Sequence, residues 1–348
     1  MSASQNRKSP LITKNSPPGP GKQPSQKRSA WVLFFSFTIA IVLLYLSLRG
    51  LDWGIFWNTI KTGHYEFILL IIPILSFNYF VKALRWGILI RPAKTTPIPP
   101  IFWANMVGYL GNAYLPARAG ELLRSAFLGQ SSGLGTSFVL ATALTERLLD
   151  VVALVLIGAI SLLWQGNITP LLANAVRIMA IAGGVGLALM IAAPFQEALI
   201  LRFIGRLPVP QKMISLISGQ IARFLVGMRS LQNWRRLTLF IVLTLAVWLT
   251  DAFGSTIAAR IISQTLNIGQ AFVLLSALGL SSAIPSTPGS VGVYQFVAVI
   301  VLVPFGFSRA EALAFIIISQ ILNYIVISFW GLLGLWKINK SRLSSADA

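Results

Sequence analysis

Hydrophobic residues along this chain come in long blocks, not in the alternation of a half-buried strand or the single stripe of a soluble helix. Crossing a hydrocarbon core of roughly 30 Å as a helix takes about 20 predominantly apolar residues. Six blocks approach or exceed that length, at residues 30–48, 67–90, 136–164, 172–193, 237–262 and 310–336, and each predicts a transmembrane helix. Two further apolar stretches, residues 101–115 and 271–284, are too short to cross, and each runs into a proline followed four residues later by a glycine. The predicted fold class is all-α: a polytopic integral membrane protein of about six full transmembrane helices plus two re-entrant or broken segments.

Composition closes off the soluble alternatives. With 55% hydrophobic and 11% charged residues, the chain has too few polar side chains to coat a water-soluble globule. It holds no cysteine and one histidine, His64, so disulfides, thiolate metal sites, haem ligation and a Ser-His-Asp triad lack their raw material. No metal and no cofactor are expected, and His64, beside Tyr65 and Glu66, reads as an ordinary loop residue.

The net charge of +19 does not form a basic face interleaved with aromatics, so nucleic acid is not an expected partner. The basic residues gather in particular connections. Residues 1–29 hold six Lys or Arg, no acid and five prolines, and predict a disordered basic cytoplasmic tail. Residues 195–236 carry Arg202, Arg206, Lys212, Arg223, Arg229, Arg235 and Arg236 against Glu197 alone, whereas residues 165–171 carry no charge. Basic loops stay cytoplasmic. The expected topology therefore has six spans within a transmembrane domain at 30–336, both termini inside, and a short cytoplasmic tail at 337–348. Within the long connection, Leu199, Phe203 and Leu207 recur at helical spacing, which fits either an interfacial amphipathic helix or helices packed on the bundle.

The two broken segments resemble each other. Asn112-Ala-Tyr-Leu-Pro116-Ala-Arg118-Ala-Gly120 and Ser282-Ala-Ile-Pro285-Ser-Thr-Pro288-Gly289 share an apolar run, Pro, three residues and Gly, and a full span begins 48 residues before each proline. On the expected topology the first enters from the cytoplasm and the second from outside. Paired broken helices in an inverted repeat point to a transporter's central site.

Charges at membrane depth surround the first break. Arg118 and Arg124 each stand three residues from Glu121, and Glu146, Arg147 and Asp150 lie within the next span, with Glu146 and Asp150 on one face. Ionised groups near the bilayer centre cost about 2.5–3.5 kcal/mol each on insertion scales, so these are paired or wetted. Three basic and three acidic groups balance, which suits a structural salt-bridge network. They also suit an anion site, in which an arginine trades an internal carboxylate for the phosphate of a lipid head group. Asp251, in the span at 237–262, reads equally as a buried hydrogen-bonded acid or as a transport-linked carboxylate. Gly183, Gly184, Gly186, Gly331 and Gly334 permit close helix packing.

Taken together, Asn112-x-x-Leu-Pro116-x-Arg118-x-Gly120-Glu121-x-x-Arg124, Glu146-Arg147-x-x-Asp150 and Pro285-x-x-Pro288-Gly289-Ser290-x-Gly292 resemble the lysylphosphatidylglycerol synthase transmembrane-region, or flippase-like, family over most of residues 30–336. The resemblance implies a multi-pass plasma-membrane module associated with movement of lipids or lipid-linked groups between leaflets, and the arginines make anionic head groups the expected partners. Some members carry a soluble C-terminal aminoacyltransferase domain, and with about a dozen residues after Trp336 none is expected here. Gln295 stands where many such proteins have Glu, which weakens a titrating role there. Two other function classes stay open: an intramembrane transferase acting on lipid-linked sugars or aminoacyl groups, with Glu146 or Asp150 as base, and a non-catalytic membrane partner recruited through residues 202–236.

Overall fold

Hydrocarbon offers backbone amides no water to bond, so a spanning chain must satisfy them within its own helices. The computed structural model describes residues 26–91, 93–115, 119–164, 180–181, 183–186, 188–189, 192, 196–206, 210–282 and 288–346, and every regular element among them is helical. Twelve helices are named here: α1 (Gln26–Leu48), α2 (Trp53–Lys61), α3 (Ile68–Ile90), α4 (Ile98–Tyr114), α5 (Gly120–Ser132), α6 (Thr136–Trp164), α7 (Glu197–Gly205), α8 (Gln211–Arg229), α9 (Trp234–Ile261), α10 (Ile268–Ser281), α11 (Val293–Leu302) and α12 (Arg309–Ala346). Among the described residues, four stretches are long and apolar enough to cross a membrane unaided: Tyr65–Ile90, Thr136–Trp164, Trp234–Ile261 and Arg309–Lys340. Phe37–Leu48 joins α2 at a bend of 90°, and the pair makes a fifth candidate if it is taken as one span. The chain is thus an all-α polytopic membrane protein.

The two short apolar stretches each form one arm of a helical hairpin. In the first, α4 is followed by α5, which packs against it; in the second, α10 is followed by the turn Pro288–Ser290 and by α11, which packs against it. The bundle has two ends. At one end His64 N donates to Ile261 O (2.8 Å), Arg309 Nη1 to Arg49 O (2.9 Å), and Gln264 Nε2 to Glu311 Oε1 (2.7 Å). At the other, Lys94 Nζ donates to Ser132 O (2.6 Å) and Lys337 lies over the Trp103 ring. The α4/α5 hairpin enters from this second end and α10/α11 from the first.

Their tips meet part-way along α12. Tyr114 Oη and Ser328 Oγ are 2.8 Å apart, and Tyr324, near the middle of Arg309–Lys340, donates its hydroxyl to Gly289 O (2.7 Å). The packing has a two-fold pattern. α4 lies on α12 as α10 lies on α6; α5 lies on α6 as α11 lies on α12; α3 lies on α4 as α9 lies on α10; and α3 and α9 pack on each other. Exchanging α3–α6 for α9–α12 therefore maps the main contacts onto themselves, which is the inverted repeat expected from the sequence.

Glycines set how closely these parts approach. A Cβ on Gly120 would collide with Gly108 O and stand 2.6 Å from Asn112 N, so α4 and α5 touch backbone to backbone. Gly292 adopts φ +87°, a left-handed conformation that strains other residues, and a Cβ there would collide with Ala40 O of α1. Gly331 and Gly334 sit against Met106 and Trp103 on α4, while Gly183 and Gly186 face Leu156 and Val152 on α6, as small residues in membrane helices do; Gly184 contacts nothing comparable.

Several boundaries differ from the sequence expectations. α1 starts at Gln26, four residues before the expected span, and residues 1–25 lie outside the described part. The connection between the first two expected spans, residues 49–66, contains α2, capped by Asp52 Oδ1 accepting from Ile55 N (3.0 Å). This helix buries Phe56 and exposes Trp53 and Trp57, the aromatic pattern of a helix lying at a membrane interface. α12 continues past residue 336, so Lys337 and Lys340 project from helix, not from a separate tail. The expected span at 172–193 falls largely outside the described residues, as does the uncharged turn at 165–171. The connection at 195–236 folds as α7 and α8. α8 packs on α6, whereas α7 packs on α8 and leaves Leu199 and Phe203 exposed, so bundle packing and interfacial exposure divide between the two helices.

Candidate functional site

Helical spacing assembles the ionic site from two short registers. On α6, Glu146 and Asp150 stand one turn apart and present their carboxylates to α3; on α5, Glu121 and Arg124 meet across an i,i+3 step. Arg85 of α3 closes the group. Its Nη1 donates to Asp150 Oδ1 (2.6 Å), and its Nη2 to Asp150 Oδ2 (2.9 Å) and Glu146 Oε1 (3.1 Å). This forked contact fixes Asp150 through both oxygens.

Arg124 bridges the other side of the network. Its Nε donates to Glu121 Oε2 (2.6 Å) and its Nη1 to Glu146 Oε2 (3.1 Å) and Asn105 Oδ1 (2.8 Å), while the guanidinium stacks 4.5 Å above the Trp86 ring. Arg147 Nε donates to Glu121 Oε1 (2.9 Å), to which Asn112 Nδ2 also donates (3.2 Å). Its own-helix contact with Asp150 is long, 4.0 Å, and secondary to its contact with Glu121. Three arginines and three carboxylates form one network that joins α3, α5 and α6.

Burial is uneven across it. The side chains of Arg85 and Glu146 are 1% exposed and that of Arg124 2%, whereas Arg147 is 34% exposed and forms the open edge. Three polar atoms in the buried part have no hydrogen-bond partner among the described residues, Arg85 Nε, Asn105 Nδ2 and Asn112 Oδ1, whereas Arg124 Nη2 lies 2.6 Å from Glu121 Oε2.

The second break is held without charge. Gln295 is buried; its Oε1 accepts from Gly292 N (2.7 Å) and its Nε2 donates to Gln320 Oε1 (2.6 Å). Gln320 Nε2 then donates to Gly289 O (3.2 Å), beside the Tyr324 hydroxyl. Gln295 therefore ties the start of α11 to α12 through neutral amides.

The structure thus brings Asn112, Gly120, Glu121, Arg124, Glu146, Arg147 and Asp150 together, and gathers Gly289, Gly292 and Gln295, with the backbone of Pro288, at the second break. Pro116, Arg118 and Pro285 lie outside the described residues. Sequence reasoning passed over Arg85 and Asn105. The signal for Arg85 was its place inside the span at 67–90, where any ionised residue needs a partner; five residues from the helix end, it resembles a snorkelling arginine instead.

Lys82 was passed over for the same reason. It lies 3.2 Å from Asp251 Oδ2, so Asp251 is an ion-paired acid whose partner is distant in sequence. The pair lines a cavity of about 260 Å³ between α3, α9, α10 and α12, with Asn78, Trp248, Ser319 and Asn323 among its walls.

The family model described as Lysylphosphatidylglycerol synthase TM region matches residues 33–331. The chain is similar to a protein named glycosyltransferase AglD from Haloferax volcanii, 21% identical over 278 residues, which cover 70% of this chain and 44% of that protein. It is also similar to the UPF0104 membrane protein MJ1078 of Methanocaldococcus jannaschii, 24% identical over 236 residues, covering 67% of this chain and 95% of that protein. The aligned region therefore spans less than half the length of the first relative and nearly all of the second. No solved structure matches.

Proposed function

Since the chain belongs to the lysylphosphatidylglycerol synthase transmembrane-region family, we propose that it binds an anionic lipid or lipid-linked group and moves it between the leaflets of the plasma membrane. The observation that carries this reading is the meeting of two oppositely entering hairpins near the middle of α12, with the arginine network wrapped around the first of them. Irregular backbone at membrane depth is tolerated where it is buried in protein or lines a wet cavity. The donors left unpaired beside it, Arg85 Nε and Asn105 Nδ2, suit an oxygen-rich anion.

Within this reading the arginines divide by burial. Arg124 is saturated by Glu121, Glu146 and Asn105 and acts as scaffold. Arg147, at the open edge, and Arg118, beside the break in sequence, are the groups that meet a phosphate. Lysine keeps the charge and loses the planar fork. In liposomes carrying a head-group-labelled anionic lipid, Arg147→Lys and Arg118→Lys are each expected to slow transbilayer movement about tenfold or more at equal folded amounts. Hydrogen bonds to charged groups contribute ~1.5–3 kcal/mol, which sets that scale. Wild-type rates in both variants would overturn the role of the arginines.

The basic end of the bundle, with Lys94, Lys337 and Lys340, faces the cytoplasm in this reading, as positive charge in short loops directs. A cysteine placed in α8 then reacts only with a membrane-permeant thiol reagent in intact cells. Labelling by an impermeant reagent reverses the assigned orientation.

The glycosyltransferase named above is the reason to keep a transferase in view. Glu146 and Asp150, the candidate bases for one, already accept from arginine through both of their oxygens, which disfavours proton abstraction by either.

A further inference from the structure

The cavity beside Lys82 has a chemistry unlike that of the arginine network. Its ionic content is one ammonium and one carboxylate, paired at 3.2 Å with about one sixth of each side chain exposed, so it carries no net charge. Its volume of about 260 Å³ has room for a single hexose-sized ring and little more. Tyr79, Trp248 and Tyr294 supply aromatic wall, the amphipathic surface that packs well against the C–H faces of a ring while leaving its hydroxyls free.

Polar atoms of both senses are left over in these walls. Asn78 is almost completely buried; its Nδ2 is fixed on Val247 O (2.7 Å), which leaves Oδ1 as an acceptor with no protein partner. Trp248 Nε1 and Ser319 Oγ are likewise buried and unpaired, the first a pure donor and the second able to donate or accept. A buried polar group without a partner costs about 1–3 kcal/mol. Three at one cavity therefore favour a ligand that meets them. A phosphate would satisfy Trp248 and set its own charge against Asn78 Oδ1 and Asp251. The hydroxyls of a ring each donate and accept, and so match leftover groups of both senses.

We propose that this cavity binds a neutral polyhydroxylated ring, of the size of one hexose, carried as the head group of a lipid. The α3 register ties it to the ionic site: Asn78, Lys82 and Arg85 recur at i, i+4 and i+7 along one face, leading from the cavity to the arginine network. A lipid whose sugar is attached through an anionic link would place the ring in the first and the link beside the second. The proposal rests on the translocation reading only for the lipid source of the ring.

Trp248→Phe and Ser319→Ala remove atoms that have no protein hydrogen bond, so the fold loses none, and two separate substitutions guard against a packing loss in either. The full-length protein in detergent is titrated with monoglucosyl diacylglycerol and with diacylglycerol, and bound lipid is counted by native mass spectrometry. Wild type is expected to prefer the glycolipid by tenfold or more. Each variant is expected to lose about three- to tenfold in glycolipid affinity, the scale of one neutral hydrogen bond, with diacylglycerol binding unchanged and the melting temperature not lowered. Equal binding of the two lipids by wild type, or wild-type glycolipid affinity in both variants, would overturn the proposal. Where the preference is found, excess free glucose separates the sources: displacement shows that the ring alone is recognised, and no displacement assigns recognition to the lipid-borne ring. Glycolipid binding in a protein that moves no lipid in liposomes would sink the translocation reading and leave this site standing.

Discussion

The two broken hairpins share an architecture and differ in what holds them. Around the α4/α5 break, three arginines and three carboxylates link α3, α5 and α6; around the Pro288–Ser290 turn, Gln295, Gln320 and Tyr324 hold the backbone with neutral hydrogen bonds. The same fold element therefore comes in a charged and an uncharged form within one chain. Buried ion pairs are a poor source of net stability but fail badly when one partner is removed, whereas a neutral amide fails by about the cost of one or two hydrogen bonds. The first half is thus the more brittle, and it alone of the two breaks offers an anion something to exchange with.

That contrast can be broken at Glu146, where the largest effect is expected. Glu146→Ala leaves Arg85 and Arg124 without one of their shared carboxylates at a site 1% exposed, and is expected to destabilise the protein by ~3–5 kcal/mol. The check is the thermal or denaturant midpoint of purified protein in detergent. A shift within error of wild type would mean that the network is wetted and that its charges are solvated independently.

Gln295→Ala tests the neutral half and should fall well short of that. It removes the acceptor for Gly292 N and the donor to Gln320, with an expected cost of ~1–3 kcal/mol in the same assay. A loss as large as that of Glu146→Ala would erase the distinction between the hairpins and make the second break equally dependent on buried polar groups.

Much of the architecture was legible in the chain. Residues 67–90, 136–164, 237–262 and 310–336 became helices with ends within a few residues of expectation, except that α12 runs on to Ala346, because length and apolarity alone decide what can cross hydrocarbon. The broken segments were legible because Pro ends an apolar run that is too short to span. α2 escaped notice since nine amphipathic residues within a polar connection carry little signal until Asp52 caps them and α12 receives Phe56. At the ionic site, the pairing of Glu121 with Arg124 was a matter of helical spacing. Arg85 with Asp150, and Lys82 with Asp251, join residues 65 and 169 positions apart, which no local register foretells.

What the sequence determined by itself was thus the solvent of the protein, its helical class, the places where helices must break and the charges that need partners, since each follows from local composition and the cost of exposing backbone or charge to hydrocarbon. Which charge meets which, that Arg124 is saturated while Arg147 stays open, and that a neutral cavity lies one face along from the arginines were decided by how α3 and α9 cross between the two hairpins. Those choices depend on side chains far apart in sequence that compete for the same buried partners, so packing settles them and composition does not.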